Sequence, residues 1–152
     1  MPDPLKRSVR VDMDPVADTT GLSKDVGWTV GVSKTLPYTI ETVWAFLTSP
    51  AGIAIWLGPG AVLNRAKGSR FQTTAGAVGD MRSYRDLDRV RVSLRPAGWD
   101  HVTTVQVALQ DKQGQTMIRF HQEWLVDAAE RGRQRQHWTD VLAAFTAAIA
   151  KR

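Results

Sequence analysis

The chain has no cysteine among its 152 residues. That excludes disulfides, thiol nucleophiles and every thiolate-held metal or redox centre, and it suits a reducing compartment. Long apolar runs are missing as well. No stretch approaches the roughly 18 residues of a membrane span, and no apolar segment follows a basic start at the N-terminus, so an unexported, cytoplasmic protein is expected. No G-x-S-x-G elbow occurs, and Gly58, Gly60 and Leu63 fail G-x-G-x-x-G at its third glycine, which removes the common serine nucleophile and phosphate cradle. His101, His121 and His137 are the only histidines and none stands three or four residues from another. No metal or cofactor is expected from such a set, and no catalytic residue is assigned.

Twenty Lys and Arg oppose fifteen Asp and Glu, for a formal charge of +5. The basic residues are scattered over Lys6 to Arg10, Arg82 to Arg95 and Arg131 to Arg135, without exposed aromatics interleaved. No nucleic-acid partner is expected from that distribution. A chain of this length makes one domain with one sizeable core. Residues 1–20 carry three prolines and several aspartates with no sustained periodicity, which predicts a flexible arm, with Val9 to Met13 as an optional edge strand. Residues 21–152 are expected to form the single domain.

The C-terminal stretch from Asp127 to Arg152 is the strongest local signal. Trp138, Val141, Leu142, Phe145 and Ile149 recur at steps of three and four, which places them on one face of a long helix, while Arg131, Arg133 and Arg135 fall on a solvated one. Two shorter helices are predicted earlier. Thr39 caps Ile40 to Leu47, and Ser49 followed by Pro50 opens a second helix through Ile53, Trp56 and Leu57, ended by Gly58, Pro59 and Gly60.

The remainder reads as strands. Trp28 to Leu36 alternates with period two, and Phe71 to Thr74, Asp80 to Tyr84, Arg89 to Leu94, Thr103 to Leu109 and Thr116 to Trp124 follow between turn signals. Alternation points Val90, Val92, Leu94, Val105, Val107 and Leu109 inward, together with Ile118, Phe120, Gln122 and Trp124. Trp124 and Trp138 are expected to fasten helix to sheet. In the Asp80 to Tyr84 strand, Met81 and Ser83 compete with Arg82 and Tyr84 for the inner side. The outward Arg89, Arg91 and Arg95 read as solvating residues, and Asp100 with His101 reads as a solvated turn.

Four blocks carry a resemblance. "TLPYTIETVWAFLTSPAGIAIWLG" (Thr35 to Gly58), "LRPAGWDHVTTVQVAL" (Leu94 to Leu109), "TMIRFHQEWL" (Thr116 to Leu125) and "HWTDVLAAF" (His137 to Phe145) together resemble the START-like (SRPBCC) superfamily. Within it they are most similar to the bacterial family related to the Hsp90 ATPase activator, called Activator of Hsp90 ATPase homologue 1-like. The resemblance implies an α+β helix-grip (START/Bet v1-like) fold: a curved antiparallel sheet of six to seven strands wrapped around a long C-terminal helix, with two short helices after the first strand.

It further implies a cavity between the sheet and that helix, and hence a hydrophobic or aromatic small molecule as ligand. Trp56, Val92, Val107, Phe120, Gln122, Trp138 and Phe145 are the expected lining, with Trp56 and Trp99 near the mouth. Relatives often carry a histidine on the cavity side of the last strand, where alternation here places Gln122 and turns His121 outward. Two other readings accompany this one. An Hsp90-type chaperone as partner follows from the resemblance, and a cyclase- or hydrolase-like chemistry would use Arg82 and Tyr84 if both point inward.

Overall fold

A computed structural model describes residues 19–23 and 25–152. The arm expected over residues 1–20 and the edge strand at Val9 to Met13 therefore lie outside the described residues, apart from Thr19 and Thr20. The elements run β1 (Leu22–Ser23), β2 (Gly27–Leu36), α1 (Ile40–Leu47), α2 (Pro50–Trp56), β3 (Arg70–Gln72), β4 (Val78–Arg85), β5 (Arg89–Leu94), β6 (Thr103–Lys112), β7 (Gln115–Leu125) and α3 (Ala128–Ala150). One seven-stranded antiparallel sheet in the order β1-β2-β7-β6-β5-β4-β3 packs against α3, with the two short helices after β2. This is the expected α+β helix-grip arrangement.

Local chemistry sets the helix starts. Thr39 and Ser49 each lie in extended backbone and accept a hydrogen bond from the amide three residues on, Thr42 at 3.3 Å and Gly52 at 3.1 Å. Asp127 does the same for Glu130 at 2.8 Å, while the Glu130 carboxylate reaches back to the Val126 amide at 3.1 Å. Otherwise orphaned donors at the start of α3 are thus satisfied in both directions. Gly52 is required where α2 passes α1, because a Cβ there would overlap the Phe46 carbonyl oxygen.

Inward residues of the strands and the stripe on α3 share one core. Val90, Val92, Val105, Val107, Ile118 and Phe120 meet Trp138, Val141, Leu142, Phe145 and Ile149, all buried. The ring of Phe120 stacks on Trp138 with centroids 5.3 Å apart, and Phe145 meets Phe46 of α1 edge-on at 5.1 Å. Burial of this kind contributes roughly 1.5–3 kcal/mol per large apolar side chain.

Two bulges break the alternation and correct the sequence reading. In β4, Met81 opposes Val92 and Ser83 opposes Arg91, so Arg82 is an extra residue and points outward. Both competing phases are thereby used in turn: Met81 is buried before the bulge, and Tyr84 turns inward after it to pack edge-on against Trp44 at 5.5 Å. In β7 the pairing with β2 shifts between Val30↔Gln122 and Trp28↔Leu125. Leu125 takes the core position there. Trp124, expected inside, is 48% exposed in left-handed backbone at φ 66°. The accommodating partner is Gly27, itself at φ 68°, whose Cβ would stand against Trp124.

Candidate functional site

The expected interior residues do converge. Val92, Val107 and Phe120 come from the central strands, Gln122 from β7, Trp138 and Phe145 from α3, and Trp56 from the end of α2, where its indole nitrogen donates to the Leu47 carbonyl at 3.2 Å. Their side chains meet one another. Val92, Val107, Phe120, Gln122 and Phe145 are 0% exposed, so no water-sized space touches them. Trp99, in the β5–β6 connection, is half-buried, packs against the edge of the core and stacks on the His101 ring at 5.0 Å.

Gln122 is the polar centre of this interior. Its Nε2 donates to Thr103 Oγ1 at 3.0 Å, and its Oε1 accepts from Trp138 Nε1 at 2.9 Å and from Gln134 Nε2 at 2.8 Å. Thr103 Oγ1 in turn donates to the Leu94 carbonyl at 2.7 Å. A primary amide has two donors and a carbonyl with two lone pairs. Both lone pairs are taken here, by two side chains of α3, which ties the helix to the sheet through a buried polar contact.

The start of α3 is held differently from its end. Between Ala128 and His137 the side chains that dock are Glu130, Arg131 and Gln134, and the apolar stripe begins only at Trp138. Arg131 Nε donates to the Thr29 carbonyl at 2.6 Å, so this arginine is a tie to β2 instead of the solvated residue expected. His101 is also no solvated turn residue. Its Nε2 meets the buried Glu130 carboxylate at 2.8 Å and its Nδ1 meets Asp100 at 2.8 Å. The hydrogen bond to Asp100, assisted by Glu130, raises the His101 pKa above the usual histidine value despite partial burial. Asp100 is fully exposed and Glu130 is not, so Glu130 is the partner that anchors the imidazole.

Sequence periodicity could not find this latch, since 29 residues separate its partners. The available signal was Asp127 followed three residues later by Glu130, which marks a helix start and a carboxylate held near it.

Arg82 and Tyr84 do not share a space. Arg82 is exposed and its guanidinium meets Asp80 at 3.4 Å on the outer face, whereas Tyr84 packs on Trp44 with Arg65 over its ring at 5.0 Å. The bulge between them is the reason, and it removes the pair invoked for cyclase- or hydrolase-like chemistry.

Open space lies on the outer face of the sheet. A cleft of about 630 Å³ is lined by Arg70, Gln72, Val78, Asp80, Ser93, Arg95 and Val102, among others. A neighbouring one of about 440 Å³ runs past Arg82, Thr104 and Trp124 and shares Asp80, Ser93 and Val102 with the first. A third, of about 280 Å³, is lined by Arg91, Gln106, Ala108, Arg119, His121 and Glu123. There Arg91 bridges Glu123 at 2.7 Å and Gln106 at 3.2 Å. Burial, opposed by Glu123, lowers the His121 pKa.

Comparisons with known proteins follow the same outline. The sequence profile described as "Activator of Hsp90 ATPase homolog 1-like protein" matches residues 37–150. No curated protein matches the sequence. Among solved structures, DynU16, a protein of the dynemicin biosynthetic locus, is similar with a TM-score of 0.66 at 18% identity over 78% of this chain. This chain spans 46% of that protein's length. PFC0360w, an HSP90 activator from Plasmodium falciparum, gives 0.62 at 14% identity, covering 74% of this chain and 88% of its own. The Aha1 dimer from Colwellia psychrerythraea gives 0.64 at 16% identity, covering 80% and 95%. At such identities the likeness speaks for the fold. Among the described residues no helix is long and apolar enough to cross a membrane.

Proposed function

Because the chain belongs to the Activator of Hsp90 ATPase homolog 1-like family, we propose that it is a binding domain that takes a hydrophobic or aromatic small molecule between its sheet and α3. The observation that carries this reading is the cluster of Gln122 and Thr103, a polar centre in a largely apolar wall, the make-up of a pocket that orients its ligand through one or two hydrogen bonds. A ligand hydroxyl or N–H can replace Gln134 or Trp138 as a donor to Gln122 Oε1.

In the closed arrangement side chains fill that space, so the ligand enters by displacement. The first ten residues of α3 are the part that can lift. They bury no large apolar side chain, and lifting them breaks the bonds of Glu130, Arg131 and Gln134. Each is worth about 0.5–1.5 kcal/mol net, or up to about 3 kcal/mol where a charge is involved. The setting in this reading is the cytoplasm, in keeping with the absence of cysteine.

Mass spectrometry of small molecules extracted from the purified chain, followed by thermal-shift titration with the molecule found, tests the reading. We expect a rise in melting temperature that Gln122→Leu weakens at least tenfold in ligand concentration. No extracted molecule, together with no thermal shift from any aromatic or lipid compound tried, would refute it. The family match favours a second reading, in which an Hsp90-type chaperone is the partner. ATPase stimulation of a bacterial Hsp90 by the purified chain is the test, and an unchanged rate removes that reading.

A further inference from the structure

We infer that the outer face of the sheet carries a second, independent site for a flat aromatic anion, with Trp124 as its stacking surface and arginines as its anion holders. Elementary patterning requires Trp124 to be inside. A tryptophan alternating with Phe120 and Gln122 has every energetic reason to bury, and left-handed backbone is unfavourable for any residue with a Cβ. The bulge nevertheless turns it out, half exposed, and holds it there through its amide, which donates to the Val26 carbonyl at 2.7 Å. Strain that presents a large aromatic to solvent is an observation from which a functional hypothesis properly starts.

The surroundings supply the chemistry. Arg70, Asp80, Ser93, Thr104 and Glu123 form one line across five strands: Arg70 pairs with Asp80, Ser93 with Thr104 and Thr104 with Glu123 in register, and the Asp80 amide donates to Ser93 Oγ at 3.0 Å. The two clefts described above run along this line and join at Asp80, Ser93 and Val102. Their combined lining has three arginines, Arg70, Arg82 and Arg95, against one aspartate.

Asp80 is already occupied, one oxygen by the Ser93 hydroxyl and the other by Arg82. That contact engages one nitrogen of Arg82, and Arg70 and Arg95 leave the combined lining with a net positive charge. Trp124 and Arg82 line the same cleft, so a ring stacked on the indole brings its carboxylate or sulfonate towards a guanidinium, which suits anions by its planar fork of donors. The volumes fall in the range of small-molecule sites. Nothing in this assignment depends on the interior reading.

The probe is 2-naphthoate, titrated into the full chain while the indole N–H resonances are followed by nitrogen-15 NMR. Trp124→Asn identifies the Trp124 resonance and keeps a residue that tolerates left-handed backbone. We expect that resonance to move on titration, affinity to fall at least tenfold in Trp124→Asn and at least threefold in Arg82→Gln, and uncharged 2-naphthalenemethanol to bind at least fivefold more weakly. A Trp124→Phe variant, which retains a stacking ring, should recover most of the affinity. The assignment is overturned if no indole moves at millimolar probe. It is equally overturned if Trp138 moves while Trp124→Asn binds as wild type, or if the uncharged analogue binds equally well.

Discussion

Replacing Gln122 by leucine tests whether the polar centre holds the fold together. The substitution keeps approximate volume and removes an amide group of which one donor and a doubly used acceptor are engaged. Three partners lose a bond. Gln134 is only partly buried and can turn to water, and Thr103 keeps its bond to the Leu94 carbonyl. Trp138 has no such escape: its indole is 1% exposed and its Nε1–H would face leucine. An orphaned buried donor costs about 1–3 kcal/mol, and in a chain of this size that corresponds to a fall of about 2–12 °C in melting temperature. Urea unfolding followed by circular dichroism gives the free energy directly. Trp138→Phe removes the donor from the other side, so the double variant should be more stable than the two single losses add up to, by about 0.5–3 kcal/mol of coupling. Wild-type stability in Gln122→Leu, or strict additivity in the cycle, would refute the argument.

Three further outcomes are expected. His101 is held above its ordinary pKa by Asp100 and Glu130, so it stabilises the fold fully below the unfolded value of about 6.5 and loses that contribution as pH rises through the folded value. The melting-temperature gap between wild type and His101→Gln should therefore be widest in mild acid and narrow towards pH 8.5, and a gap that widens with pH contradicts the latch. Gly79→Ala should cost about 1–3 kcal/mol or more, measured by the same urea titration, because the new Cβ overlaps the Ser93 carbonyl oxygen and crowds the Phe71 ring. Hydrogen exchange should protect amides from Val141 to Ile149 more than those from Gly132 to His137, and uniform protection along α3 would remove the entry route proposed for the ligand.

What the amino-acid pattern disclosed, and what it hid, divides along physical lines. Helix caps at Thr39 and Ser49 and the stripe from Trp138 to Ile149 depend on neighbours within a few residues, and each was legible. So was the inward set from Val90 to Phe120, because a half-buried strand must alternate. The side of Arg82 stayed open and Trp124 was misplaced for one shared reason: a bulge adds a residue to one strand and reverses the alternation beyond it. Gly27 was the only trace of the second bulge, since a glycine in a strand often marks a close backbone approach. Gln122 was identified as an inward polar residue, but its saturation by Thr103, Gln134 and Trp138 is a property of three elements meeting. Whether the interior was open or filled lay further still from the sequence, because it turns on how rings interdigitate.

The two halves of α3 connect these points. From Trp138 onward the helix is fixed by apolar burial of Trp138, Val141, Leu142, Phe145 and Ile149. Before it, the same helix rests on Glu130, Arg131 and Gln134, whose partners His101, Thr29 and Gln122 lie in the β5–β6 connection, in β2 and in β7. A helix that only closed a core would carry its stripe from end to end, since apolar contacts hold such an element at less cost than buried polar ties that must each be satisfied. Directional bonds are instead concentrated where the helix covers Gln122. They hold one geometry when made and, unlike a sealed apolar seam, can be exchanged singly for bonds to water or to a bound molecule. On the proposed binding reading, the polar half of α3 is accordingly the place where the fold opens to its ligand without losing its core.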